Sequence, residues 1–301
     1  MLTLLLSWIC YRLAFHFPYK NRPVGNHNLP DRALYRKIHD RINNLIDEAE
    51  SFPTEEVFIR SYDGLRLAGH IYEQDSAAPV FIFFHGYQST ALRDGPGIFR
   101  VFRNEGFNVI FADQRAHGDS EGEELTLGVK ESRDVMSWIR YARQRYGRDV
   151  KIILGGVSMG AGTVTLAADK VPDNVKGIVA DCGYTSPHAI IQKVMRDKHI
   201  PVEPFYQILR LGAILFGHFD PDSVSCFYSL KHSRVPVLFI HGEADEFVPY
   251  WMSVKNYESC GAPSMLLSVP DADHGVAFML EEEEYTESVH ELLIVSGLAE
   301  E

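Results

Sequence analysis

The segment Gly156-Val157-Ser158-Met159-Gly160 has the residue types and spacing of a serine nucleophile held on a tight turn. Small residues at 156 and 160 let the chain reverse sharply, so that the serine sits strained with its hydroxyl projecting from the end of a sheet. A serine hydroxyl is a weak nucleophile at neutral pH and needs an adjacent base, itself oriented by a third group. In a strand–turn–helix nucleophile of this kind, an acid and then a histidine follow on loops after the last two strands. His241 to Pro249 contains Asp245, and Asp271-Ala272-Asp273-His274-Gly275 contains His274. Glu243, Glu246, Asp271 and Asp273 compete as the acid, and Asp245 is preferred because acid and base should come from different loops converging on the nucleophile. With thirteen histidines in the chain, position is what selects His274.

The tetrahedral intermediate of acyl transfer needs two amide donors, one from the residue after the nucleophile and one from the loop after the third strand. Those are Met159 and Tyr87, with Gly86 allowing the turn in Phe84-His85-Gly86-Tyr87. His85 is read as a brace for this loop. Asp113 to Ser120 concentrates carboxylates and an imidazole, but its Asp and Arg are expected to bond neighbouring backbone and not a metal. Cys182 is read as a small buried hydrophobe. No metal site and no cofactor is expected.

The elements that must position these groups follow from the hydrophobic pattern. From residue 55 onward, short β-branched or aromatic runs alternate with segments of helical period, the pattern of a parallel sheet covered by helices. Eight strands are predicted at 56–60, 66–72, 80–84, 108–112, 151–154, 175–180, 235–240 and 265–269. The first two are joined by Tyr62-Asp63-Gly64, a hairpin signal that makes one sheet edge antiparallel. The other six are continuous apolar runs, as in strands buried on both faces. Helices are predicted at 32–51, 96–105, 129–146, 160–170, 251–260 and 277–295. Residues 184–234 are too long for a simple crossover and are assigned to a cap with about one extra helical pair. Its Phe205, Tyr206, Leu209, Phe216 and Phe219 suggest a modest apolar pocket. The chain thus divides into an N-terminal hydrophobic segment and helical extension, 1–54, and a catalytic domain, 55–301, carrying the cap.

Composition narrows the partners. A formal net charge of −12 without a basic cluster repels nucleic acid and anionic membrane surfaces at long range. Four scattered cysteines form no disulfide framework and point to reduced thiols in cytoplasm. Residues 1–17 are mostly apolar, marginal for a bilayer span, and lack the features of a secretory signal. They read either as a helix packed on the domain or a partner, or as an interfacial anchor giving weak membrane association. Oligomeric state has no signature.

The motifs together resemble the α/β-hydrolases, and within them the small intracellular branch similar to the bacterial YqkD-like hydrolases. The residues that carry the resemblance are His85-Gly86-Tyr87, Asp113 to Ser120, Gly156 to Gly160, Asp181-Cys182, His241 to Pro249 and Asp273-His274-Gly275, spanning most of 55–295. It implies an α/β-hydrolase fold with Ser158 as nucleophile, Asp245 as acid, His274 as base, and oxyanion amides at Tyr87 and Met159. Ala116 departs from the glycine that many members have before the histidine of that loop. The expected activity is a serine carboxylesterase acting on small to medium acyl esters through an acyl-serine. Two alternatives are an amide or peptide hydrolase resembling oligopeptidase catalytic domains, for whose propeller residues 1–54 are too few, and a non-catalytic binding member. Ser158 excludes a haloalkane dehalogenase, whose elbow needs a carboxylate.

Overall fold

The computed structural model describes residues 1–22, 25–27, 29 and 33–300. Its centre is an eight-stranded sheet: β1 (Glu55–Arg60), β2 (Arg66–Tyr72), β3 (Val80–Phe84), β4 (Asn108–Ala112), β5 (Ile152–Val157), β6 (Val175–Asp181), β7 (Val237–Gly242) and β8 (Ser264–Val269). The strand order is β1-β2-β4-β3-β5-β6-β7-β8. β2 pairs antiparallel with both β1 and β4, and every pairing from β4 to β8 is parallel. β1 reads Glu-Glu-Val-Phe-Ile-Arg and buries only Val57 and Ile59, the alternation of an edge strand with one wet face. β3 and β4 are buried throughout, which is why their sequences do not alternate. β8 departs from the expectation: its side chains are mostly half-buried, because it forms the far edge of the sheet.

Twelve α-helices surround the sheet among the described residues: α1 (Leu2–Ala14), α2 (Ala33–Glu50), α3 (Ala91–Asp94), α4 (Pro96–Asn104), α5 (Glu131–Tyr146), α6 (Met159–Ala167), α7 (Pro187–Asp197), α8 (Val202–Gly217), α9 (Cys226–Lys231), α10 (Trp251–Ser259), α11 (Ala277–Leu280) and α12 (Glu282–Val295). Alternate strand residues feed two cores. Phe81, Phe83, Phe111 and Ile153 pack toward α2, α4 and α12, while Ile82, Phe84, Ile110 and Leu154 pack toward α5, α6 and α9. The expected helix over 277–295 is two, broken at Glu281, whose φ of −130° and ψ of 65° are not helical. Arg32, the expected start of α2, lies outside the described residues.

Between β6 and β7 lie three helices, α7, α8 and α9. α1 lies against α8 so closely that a Cβ at Gly212 would stand 2.1 Å from the Ser7 carbonyl oxygen. Tyr11 and Phe15 join Ile191, Met195, Tyr206 and Phe219 in a separate apolar cluster. The chain after α1 is stitched to residues 123–125: the Leu125 amide donates to Phe15 O at 2.9 Å and the Phe17 amide to Glu123 O at 2.7 Å. One side of α1 is therefore packed on the body, as one of the two sequence readings has it, while Leu2, Leu5 and Trp8 remain exposed. No helix among the described residues is long and apolar enough to cross a membrane.

Candidate active site

Parallel strands deliver their following loops to one edge of the sheet, which is where ligands gather in this architecture. Ser158 stands there between β5 and α6 with φ 55° and ψ −113°, a conformation costly for a non-glycine residue. The surroundings enforce it. The Ser158 amide donates to Asp181 O at 2.8 Å. A Cβ at Gly160 would lie 1.8 Å from Phe84 O, and one at Gly156 would lie 2.3 Å from the Gly160 carbonyl carbon. Both glycines are thus required by close backbone approach around the turn.

His274 Nε2 lies 2.9 Å from Ser158 Oγ, and His274 Nδ1 lies 2.6 Å from Asp245 Oδ2. Asp245 is buried. Burial by itself raises its carboxyl, but hydrogen bonds from His241 and His274 outweigh that and hold it well below the usual carboxylate range. Its Oδ1 also accepts the Phe247 and Val248 amides, each at 2.9 Å. Of the competing acids, Glu243, Glu246 and Asp271 are exposed, and Asp273 accepts the His274 amide at 2.7 Å. Two further groups hold His274: the Tyr35 hydroxyl, from α2, donates to His274 O at 2.9 Å, and the Phe247 ring stands edge-on to the imidazole at 5.1 Å.

His241 is the partner that sequence reasoning did not assign a role. Its Nε2 lies 3.1 Å from Asp245 Oδ2 and 2.8 Å from Val248 O, and its Nδ1 lies 2.6 Å from Ser253 Oγ. Those contacts fit a neutral ring that donates from Nε2 and accepts the Ser253 hydroxyl at Nδ1. Its spacing of four from Asp245 was visible, but nothing local signals that the two rejoin across a turn.

The Met159 amide opens α6, where the first N–H groups of a helix have no intrahelical acceptor. Across from it, the Gly86 amide is already taken by Asp94 Oδ2 at 2.7 Å, which leaves Tyr87 as the next amide of that loop. Two buried histidines brace the region. His85 donates from Nδ1 to Gly86 O at 2.8 Å and accepts the Gln114 amide at Nε2, 3.1 Å. His117 donates from Nδ1 to Arg115 O at 3.0 Å and accepts the Gln88 amide at Nε2, also 3.0 Å. Burial pushes His117 well below the ordinary imidazole range, consistent with its neutral role. In the same loop Arg115 is buried in ion pairs with Asp134 at 2.7 Å and Asp63 at 3.0 Å. Ala116, the departure from glycine, adopts the left-handed conformation at φ 63°.

Two cavities meet at Ser158. The larger, about 920 Å³, runs past Met159, Tyr184, Ile191 and Met195 to Leu13 and Phe205. It exceeds the modest pocket expected from residues 184–234, because α1 and the residue that ends it supply one of its walls through Cys10, Leu13, Ala14 and Phe15. The smaller, about 220 Å³, lies on the side of His274, Arg93, Asp94 and Tyr35. Of the other cap aromatics, Phe227 and Tyr228 are exposed and line neither. Among the described residues, Cys182, Asp245 and His274 place ligand-type atoms within 4.8 Å of one another, as do the exposed His27, Asp47 and Glu50. In the first group Asp245 and His274 already bond each other, and burial together with Asp181 and Asp245 pushes the Cys182 thiol far up, so it is not primed as a thiolate ligand.

Comparisons with known proteins agree with this architecture. A family model described as serine aminopeptidase, S33, matches residues 75–219. The uncharacterized protein YqkD of Bacillus subtilis is 23% identical over 265 residues, covering 87% of each chain. The bifunctional esterase/perhydrolase DCH of Acinetobacter calcoaceticus is 24% identical over 252 residues, covering 66% of this chain and 86% of its own. Among solved structures, the Pyrococcus furiosus esterase Pf2001 superposes with a TM-score of 0.66 at 23% identity, covering 93% of this chain and 96% of its own.

Proposed function

We propose that this chain, which has the α/β-hydrolase fold, is a serine carboxylesterase in which Ser158 is the nucleophile, His274 the general base and Asp245 the acid that orients it. The observation that carries the reading is the continuous contact from Ser158 Oγ to His274 Nε2 at 2.9 Å and from His274 Nδ1 to Asp245 Oδ2 at 2.6 Å. The imidazole takes the hydroxyl proton as Ser158 Oγ bonds to the ester carbonyl carbon. Asp245 holds the tautomer with its proton on Nδ1 and stabilises the imidazolium. The Met159 and Tyr87 amides receive the oxyanion. Collapse expels the alkoxide, which leaves as the alcohol with the proton held on Nε2. Water then attacks the acyl-serine with His274 again as base, releasing the carboxylic acid. No step calls for a metal or cofactor.

Helices α7 to α9 act in this reading as a cap on the catalytic domain, with the larger cavity as the acyl side and the smaller one as the leaving-group side. The apolar lining supports acyl groups of medium or greater length over the small ones.

Amide hydrolysis is the second reading, favoured by the description of the matching family model. An aminopeptidase must pair the free ammonium of its substrate with a carboxylate. The larger cavity is lined by no Asp or Glu among the described residues and carries Lys198 and His199 instead. In the smaller one Asp94 already accepts the Gly86 amide and the Ser89 hydroxyl. Ester substrates therefore fit better. Turnover of a nitrophenyl ester panel without turnover of aminoacyl anilides is expected, together with fluorophosphonate labelling lost in Ser158→Ala. Anilide turnover alone would overturn the preference, and absence of both labelling and turnover would favour a non-catalytic member.

A further inference from the structure

Three features of the N-terminal helix and its neighbour are left unused by the chemistry above. First, α1 packs on α8 through Ser7 and Tyr11, while its opposite side exposes Leu2, Leu5, Trp8 and Leu13, the last at 81%. α8 and the residues leading into it extend that surface with Ile200, Phe205, Ile214 and Leu215. Isolated exposed leucines need no explanation, but a contiguous apolar face on two packed helices does.

Second, the larger cavity opens within this face. Leu13, Ile200 and Phe205 are each exposed and each line the cavity whose inner end is Ser158. A substrate reaching Ser158 by that route passes an apolar rim. A second copy of the chain, or any partner seated permanently there, would close the entrance.

Third, charge is segregated. The chain has a net charge of −12, yet residues 1–22 contain no Asp or Glu. Arg12, on the exposed side of α1, and Lys198, in the lining of the cavity, form no ion pair among the described residues; the exposed carboxylates beside Lys198 in sequence are Asp197, which pairs with Lys193, and Glu203. An apolar helix face flanked by unpaired cations is the chemistry that binds an anionic lipid surface. At 13 residues α1 is about 20 Å long, short of the roughly 30 Å hydrocarbon core, so it can lie in the interface but cannot cross it.

We propose that the outer face of α1 and α8 docks on an anionic phospholipid surface, and that the ester hydrolysed at Ser158 is lipid-borne, its acyl chain entering directly from that surface between Leu13, Ile200 and Phe205. The delivery route rests on the esterase reading; the docking does not. For soluble esters of rising chain length, each methylene drawn from water into the cavity contributes about 0.8 kcal/mol, near fourfold in kcat/KM.

The test is flotation of the Ser158→Ala protein with phosphatidylcholine vesicles, with and without phosphatidylglycerol, so that binding is read without turnover. Leu5 and Trp8 are exposed and line neither cavity, so the Leu5→Glu/Trp8→Glu pair should leave the hydrolysis of a soluble short-chain nitrophenyl ester unchanged. Flotation that needs phosphatidylglycerol, weakens with salt and is lost in the double variant supports docking. The same pair on the wild-type background should lower hydrolysis of a long-chain ester presented in those vesicles by at least about tenfold. Absence of flotation overturns the proposal, as does sedimentation showing a dimer that the double variant dissociates, since the face would then be a contact between copies. Flotation without ester turnover by the wild type supports docking and overturns the esterase reading together with the delivery route.

Discussion

His241 Nε2 lies 3.1 Å from Asp245 Oδ2, the same oxygen that stands 2.6 Å from His274 Nδ1. One carboxylate oxygen therefore serves two imidazoles, one fully buried and one reaching Ser158. The buried ring is locked at Nδ1 by the Ser253 hydroxyl, and its Nε2 also faces Val248 O, so it fixes the carboxylate, and the carboxylate fixes His274. His241 is on this reading a positioning residue that acts through Asp245.

Replacing it tests that. In His241→Leu the carboxylate loses one of the donors that hold it low and leans more strongly on His274. Loss of a hydrogen bond to a charged group costs about 1.5–3 kcal/mol, so kcat should fall about tenfold or more. The acidic limb of the kcat profile should also move to higher pH, because the carboxylate that stabilises the imidazolium loses a competing hydrogen-bond donor. A fall in kcat with an unmoved pH profile would mean that His241 only fills space.

The elbow glycine at 160 makes a sharper structural demand. A methyl group there would stand 1.8 Å from Phe84 O, which is main chain and held in the β3 ladder. Gly160→Ala should cost at least about 3 kcal/mol in chemical denaturation, in the range of severe packing and backbone clashes, and abolish turnover. A stable, active alanine variant would show that the turn is not built as described.

Asp181 supplies a pH dependence. Burial is the main cause that pushes its carboxyl from 3.8 up to about 7, opposed by His241 and by the Tyr285 hydroxyl 3.3 Å from Oδ2. The folded state thus keeps a proton that the unfolded chain has lost, and stability falls as pH rises between the two values. What this group contributes is complete below the unfolded value and gone once pH passes about 7. Asp181→Asn should therefore melt higher than wild type at pH 8, with the difference shrinking toward pH 5. A difference that is flat with pH would remove Asp181 from the explanation.

Much of this architecture was legible beforehand because its signals are local. The continuous runs at Val80–Phe84 and Asn108–Ala112 mark strands buried on both faces, and Gly156 to Gly160 marks the turn between strand and helix. Chain order then directed attention to Asp245 and His274. What stayed hidden depends on contacts between distant segments. Nothing near His241 signals that its ring returns to Asp245, and nothing in residues 184–234 signals that Leu13 and Phe15 wall the cavity they cover. The break at Glu281 was missed because four glutamates in a row read as a helix start wherever the chain bends among them.

The most direct measurement is to trap the acyl-enzyme: mix the protein with a nitrophenyl ester, quench in acid within the first turnover, and map the added mass by peptide mass spectrometry. The acyl group should be found on the peptide carrying Ser158. It should be absent from Ser158→Ala, whose turnover should fall by about 10⁴ or more, and it should form about 10⁴-fold more slowly in Asp245→Asn. An adduct on any other residue, or ester turnover that survives Ser158→Ala undiminished, would contradict the assignment of Ser158 as nucleophile.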